Sequence, residues 1–98
     1  MHGAIQGIRV HNTSTAEVWR KQLASGEVAV VLLNLGEVTA NITAHWIDIG
    51  LPVGAVVSAR DLWKRQDLPG TRTEMFTAEV PSHGTAFVKL TPRDNAYW

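Results

Sequence analysis

Val28-Ala29-Val30-Val31-Leu32-Leu33 is the stretch that decides the fold. It lies inside Glu27 to Leu35 and is apolar at odd and even positions alike. A β-strand alternates its side chains between two faces, so this strand is greasy on both. Such a strand is central in its sheet or covered on both sides. Asn34-Leu35-Gly36-Glu37 then closes it with turn chemistry.

The period stays at two on either side of this strand. Ala16 to Leu23 reads as the preceding strand, with Ser25-Gly26 in a short turn that suits an antiparallel hairpin. Ala40 to Ile47 follows, with Ile42, Ala44 and Trp46 on one face and Asn41, Thr43 and His45 on the other. Asp48 to Gly54 reads as a loop punctuated by Gly50, Pro52 and Gly54. Ala55 to Asp61 is strand-like, and Leu62 to Gly70 is a longer connection. Thr73 to Val80 alternates Phe76, Ala78 and Val80 against Met75, Thr77 and Glu79. Thr85 to Leu90 is the last strand, with Ala86, Val88 and Leu90 on one face. Pro92 is expected to stop it, and Arg93 to Trp98 to be a loose end. Short strands about a dozen residues apart, with turns between them, point to an all-β, antiparallel two-sheet β-sandwich. The two sheets are expected to pack roughly 10 Å apart.

The chain has 98 residues, the size of a single domain, with order expected over about 6–92. Nine basic residues balance nine acidic ones, and Lys64-Arg65 is the longest basic cluster. That charge pattern argues against nucleic-acid and anionic-membrane partners. The sequence has no cysteine, which excludes disulfides, thiol nucleophiles and zinc ribbons. Met1-His2-Gly3-Ala4 is not expected to open a signal peptide, and Val28 to Leu33 is far short of a membrane span.

Few residues fall in patterns that carry chemistry. His2, His11, His45 and His83 lack metal-ligand spacing, so no metal or other cofactor is expected. Ser14, Ser25, Ser58 and Ser82 have no GxSxG context. Asp61 and Asp67 invite comparison with the paired acids of glycosidases. Asp is more at home at strand ends and turns, where it binds nearby backbone N–H groups. Of the tryptophans, Trp46 shares the apolar face of its strand and is expected in the core, whereas Trp19 and Trp63 are more open and Trp98 is terminal. Two N-glycosylation sequons begin at Asn12 and Asn41.

The order of several short motifs resembles the tail of an α-galactosidase of glycoside hydrolase family twenty-seven, the melibiase clan that includes α-N-acetylgalactosaminidases. Gln6-Gly7-Ile8-Arg9-Val10 is similar to the segment where such a chain leaves its catalytic barrel. Glu17-Val18-Trp19-Arg20-Lys21-Gln22-Leu23 resembles the first sandwich strand, with Gln22 at the usual proline position. Gly26 to Asn34 resembles the "G..AV.L.N" strand. Trp46 to Leu51 resembles "W.DIGL", Arg60-Asp61-Leu62-Trp63 resembles "RDLW", and Val80 to Gly84 resembles "VP.HG".

The resemblance implies a C-terminal β-sandwich with Greek-key topology and a secreted or lysosomal/vacuolar setting. It also implies that the catalytic acids sit elsewhere, on a (β/α)₈ barrel of roughly 200 residues or more. This chain alone is therefore expected to be non-catalytic, with no catalytic residue of its own. Its expected partner is that barrel, which it would cover and stabilise. One set of residues on strand 27–35 is expected inside the sandwich. The other, together with Trp19 or Trp63, is expected to meet the barrel or a second subunit, and Val31 and Leu33 are candidates for that outer set. The alternative is a galactoside-binding module that stacks sugars on Trp63 or Trp19.

Overall fold

The computed structural model describes residues 7–93. Nine strands run in chain order: β1 (Ile8–Asn12), β2 (Ala16–Gln22), β3 (Val28–Asn34), β4 (Ala40–His45), β5 (Val56–Asp61), β6 (Gln66–Asp67), β7 (Arg72–Thr73), β8 (Met75–Val80) and β9 (Thr85–Pro92). They form an antiparallel sandwich. The large sheet has the order β1-β2-β3-β9-β5-β6, with β7 also paired to β5, and the small sheet is β4-β8. β3 lies between β2 and β9, as its two-sided apolar pattern requires.

Alternation along β3 separates two surfaces. Val28, Val30 and Leu32 are fully buried and face the sandwich interior. Val18, Val57, Ala59, Val88 and Leu90 join them from the neighbouring strands. Ile42, Ala44, Phe76 and Val80 close this core from the small sheet. Burying one such aliphatic or aromatic side chain contributes about 1.5–3 kcal/mol. Most of the domain's stability therefore comes from this layer.

The end of the segment read as a strand from Ala40 to Ile47, and the start of the loop read from Asp48, turn instead into a one-turn helix, α1 (Trp46–Ile49). Trp46 and Ile49, three residues apart, share its buried side, while Ile47 and Asp48 face outward. Gly50, at φ 86°, ends the helix in the left-handed conformation, and the N–H groups of Gly50 and Leu51 both donate to the Trp46 carbonyl. Trp46 is 2% exposed and donates its indole N–H to the Ala55 carbonyl at 3.0 Å. It is thus a core residue, as its sequence position implies, although it lies one residue beyond the strand.

Three further features depart from the sequence pattern. Ile8–Asn12, read only as an entry segment, forms the edge strand β1, with a register shift between Arg9 and His11. The stretch Thr73–Val80 is broken at Glu74, whose φ is +71°. That kink lets the chain leave the large sheet after β7 and enter the small sheet as β8, the usual way a strand turns a sandwich corner. Pro92 ends β9 from within the strand rather than just beyond it. A proline at the end of a strand gives up no interior ladder bond. Residues 94–98 of the expected loose end, Trp98 included, lie outside the described residues, as do His2 and Gln6.

Candidate docking face

The outward side of the large sheet is built in transverse rows, because directly paired residues share a face. One row runs Arg9–Trp19–Val31–Phe87 across β1, β2, β3 and β9. A second runs Lys21–Ala29–Lys89–Arg60–Asp67. A third runs Asn12–Glu17–Leu33–Thr85. The first row is apolar apart from its end, and Leu33 extends it. Trp19, Ala29, Val31, Leu33 and Phe87 are all half-buried, covered on one side only.

The aromatic residues are held in place. The Trp19 indole N–H donates to Glu17 Oε1 at 2.9 Å. The other oxygen of Glu17 pairs with Arg9 at 3.2 Å, and the Arg9 guanidinium lies 6.0 Å above the Trp19 ring. Trp63, 64% exposed, donates its indole N–H to the Thr85 carbonyl at 3.2 Å. Its ring meets Phe87 edge-on, with centroids 5.3 Å apart. The Leu62 N–H donates to the Phe87 carbonyl and draws the 62–65 turn down onto this face. Between the rows is a recess of about 410 Å³, lined mainly by Trp19, Leu23, Ala29, Val31, Leu62 and Phe87, with Lys21 and Lys89 also on its wall.

The four interface candidates named from sequence, Trp19, Val31, Leu33 and Trp63, thus lie on one side of the domain. Phe87 was missed. Its signal was present, since Phe87 sits on β9 opposite Ala86 and Val88, making that strand apolar on both faces at its middle.

The other candidates do not assemble into a site. The register places Asp67 beside Arg60 on the outer face and Asp61 on the opposite one. Asp61 accepts the Lys64 N–H at 3.0 Å, and Asp67 pairs with Arg60 at 2.9 Å, so both serve turns and strand ends. His11 and His45 are exposed on strands, and His83 sits in a turn 3.3 Å from Glu37. Among the described residues no three His, Asp or Glu side chains cluster as metal ligands would. No helix there is long and apolar enough to cross a membrane. Asn12 and Asn41 are both exposed: Asn12 sits at the edge of the apolar face and Asn41 on the small sheet.

Residues 13–90 match the model of the α-galactosidase C-terminal β-sandwich domain. The chain belongs to that family. An α-galactosidase of Cyamopsis tetragonoloba is 42% identical over 89 residues, covering 91% of this chain and 21% of that protein. One of Coffea arabica is also 42% identical over 89 residues, covering 91% and 23%. Among solved structures, α-galactosidase I of Mortierella vinacea superposes with a TM-score of 0.78 at 32% identity, over 87% of this chain and 23% of that one. A family twenty-seven β-L-arabinopyranosidase of Geobacillus stearothermophilus gives 0.82 at 27% identity, over 95% and 21%. The α-galactosidase-type sandwich thus spans about a fifth of the length of the relatives it matches.

Proposed function

We propose that this domain is the non-catalytic accessory domain of an α-galactosidase-like glycoside hydrolase and packs the outer face of its large sheet on the catalytic barrel. The row Trp19–Val31–Phe87 carries this reading. It is a contiguous apolar surface that the domain's own fold leaves half-covered. Such surfaces mark contact sites. Trp19 is already fixed by Glu17 and Arg9, and Trp63, held by Thr85, packs edge-on against Phe87, so little side-chain entropy remains to be lost on contact. The same sandwich accompanies an α-galactosidase in one relative and a β-L-arabinopyranosidase in another. That distribution agrees with a scaffold role and with sugar choice lying in the barrel.

The test is a chimera in which residues 7–93 replace the homologous C-terminal domain of the Cyamopsis enzyme. Val31→Glu puts a carboxylate into the middle of the apolar row. The chimera should then inactivate on heating at least about tenfold faster, a loss of roughly 1.4 kcal/mol. An unchanged inactivation rate refutes the docking role. The exposure and fixed geometry of Trp63 favour one competing reading, a galactoside stacked on its ring. Titration of the isolated chain with galactose and melibiose, followed by tryptophan fluorescence, separates the two. A saturable response lost in Trp63→Ala makes the domain a sugar-binding module. A flat response up to tens of millimolar leaves the docking reading standing.

A further inference from the structure

The recess in the outer face has a chemical asymmetry that narrows what can fill it. In the second row, between two lysines, stands Ala29, the smallest side chain on the outward side of β3. Its direct neighbours on either side are Lys21 on β2 and Lys89 on β9. The two lysine positions are separated by two strand spacings, roughly 10 Å. Between them the face dips, and the wall of the dip is mainly Trp19, Leu23, Val31, Leu62 and Phe87. Arg20 also borders it, but Arg20 pairs with inward-facing Val30 and its guanidinium lies beside Gly50. The nearest carboxylate to Lys89 is Glu27 at 3.8 Å, and one oxygen of Glu27 already accepts the Thr91 hydroxyl at 3.1 Å. Lys21 makes no ion pair among the described residues. The dip is therefore an apolar socket with two cations at its rim, one unpaired and one loosely paired.

We infer that Ala29 is the floor of a socket that receives one large apolar side chain of the catalytic barrel, and that a carboxylate next to that side chain engages Lys21 and Lys89. This inference rests on the docking reading and gives its partner surface a chemistry. An apolar side chain alone would satisfy the walls but leave Lys21 to be desolvated without a counter-charge and Lys89 with only its long contact to Glu27. A carboxylate alone would leave Trp19, Val31 and Phe87 facing water. Only the two together match every wall of the socket, and charge pairing at such a rim also fixes the orientation of docking.

The chimera tests this with substitutions that differ from Val31→Glu. Ala29→Leu fills the socket from below and should shorten the half-life on heating several-fold. Lys21→Gln combined with Lys89→Gln should shorten it about threefold to tenfold at low salt. The unsubstituted chimera should lose half-life as salt rises from about 0.01 to about 1 M, where the screening length falls from about 30 to about 3 Å, and the double variant should not. The same substitutions in the isolated 98-residue chain are followed by urea denaturation. An equal effect there assigns the loss to the domain's own fold and overturns the inference.

If Val31→Glu destroys the chimera's stability while Ala29→Leu and the lysine variants leave half-life and salt dependence unchanged, docking stands and the socket does not. If Val31→Glu is also silent, both fail. A dimer of the isolated chain that Ala29→Leu dissociates, or a galactose response that it abolishes, gives the socket to another occupant and likewise overturns the inference.

Discussion

Asn34 is the only polar residue buried among the described core, at 2% exposure, and its replacement by aspartate isolates what a single amide contributes. Its Nδ2 donates to the Val80 carbonyl at 2.8 Å and the Val38 carbonyl at 2.9 Å, and its Oδ1 accepts the Gly36 N–H at 2.8 Å. Both opposing groups of Nδ2 are carbonyls, so only the amide nitrogen fits there. The residue ties the end of β3 to the turn behind it and to β8 in the other sheet.

Asn34→Asp keeps the shape, retains the bond from Gly36 and sets a carboxylate oxygen against two carbonyl oxygens. Two hydrogen bonds of about 1 kcal/mol each are lost, and two acceptors are left unpaired at about 1 kcal/mol or more each. The expected loss is about 4 kcal/mol at neutral pH, a large share of what a domain of this size possesses. With a urea m-value of about 2 kcal/mol per molar, the midpoint should fall by about 2 M.

The protonated carboxyl can donate to one of the two carbonyls, so burial beside them raises the folded-state pKa of the new group above the usual value near about 3.9. A group with a raised folded pKa contributes stability at low pH and loses it as pH climbs through that pKa. The variant's deficit relative to the parent should therefore be smallest in acid and grow toward neutrality. Urea melts of both proteins at paired pH values, read by tryptophan fluorescence, measure it. A midpoint within about 0.3 M of the parent at neutral pH, or a deficit that shrinks as pH rises, refutes the reasoning.

Other outcomes follow from single contacts. Trp46→Ala should cost the isolated domain about 3–5 kcal/mol, as large-to-small core changes do, whereas Trp63→Ala should cost less than about 1; parallel urea melts compare them. Glu74 sits at a positive φ, so Glu74→Val should lose about 1–2 kcal/mol while Glu74→Gly does not, and thermal melts distinguish the two. In a host with a eukaryotic secretory pathway, Asn41 on the small sheet should gain glycan mass that Asn41→Gln removes, with no change in the chimera's heat resistance. A glycan at Asn12, which borders the apolar face beside Glu17, should lower that resistance.

The parts of this fold legible in the sequence are those where a face is buried along several residues. β3, β4 and β8 announce themselves because Val28-Val30-Leu32, Ile42-Ala44 and Phe76-Ala78-Val80 each line one side of a pleat. α1 does not, because one turn from Trp46 to Ile49 is too short to establish a helical period. β1 escapes for a different reason. Its residues are mostly exposed and a register shift interrupts it, so no alternation survives. The break at Glu74 carries no signal, since neither glycine nor asparagine stands there to mark the positive φ. At the candidate site, Trp19, Val31, Leu33 and Trp63 could be named from pattern. Which half of β3 faces inward depends on which side the small sheet covers, and the place of Lys21 and Lys89 beside Ala29 depends on register. Neither is a local property of the chain.

The edges of the large sheet are poorly suited to pairing with another chain. An exposed edge invites pairing with another strand unless something blunts it. Here β1 carries the shift between Arg9 and His11, and the far side of the large sheet ends in the two-residue strands β6 and β7. The small sheet presents Asn41 and Thr43 from β4 and Thr77 and Glu79 from β8 on its outer side, with the Thr43 and Thr77 hydroxyls bonded to each other at 2.7 Å. β3 and β9 have no free edge, because each is paired along both sides. They can offer a partner only side chains, and the outward ones at their centre are Val31 and Phe87. A partner that meets this domain through its large sheet must therefore recognise shape and apolar surface, which fixed aromatic rings provide at low entropic cost, rather than extend the sheet by backbone pairing.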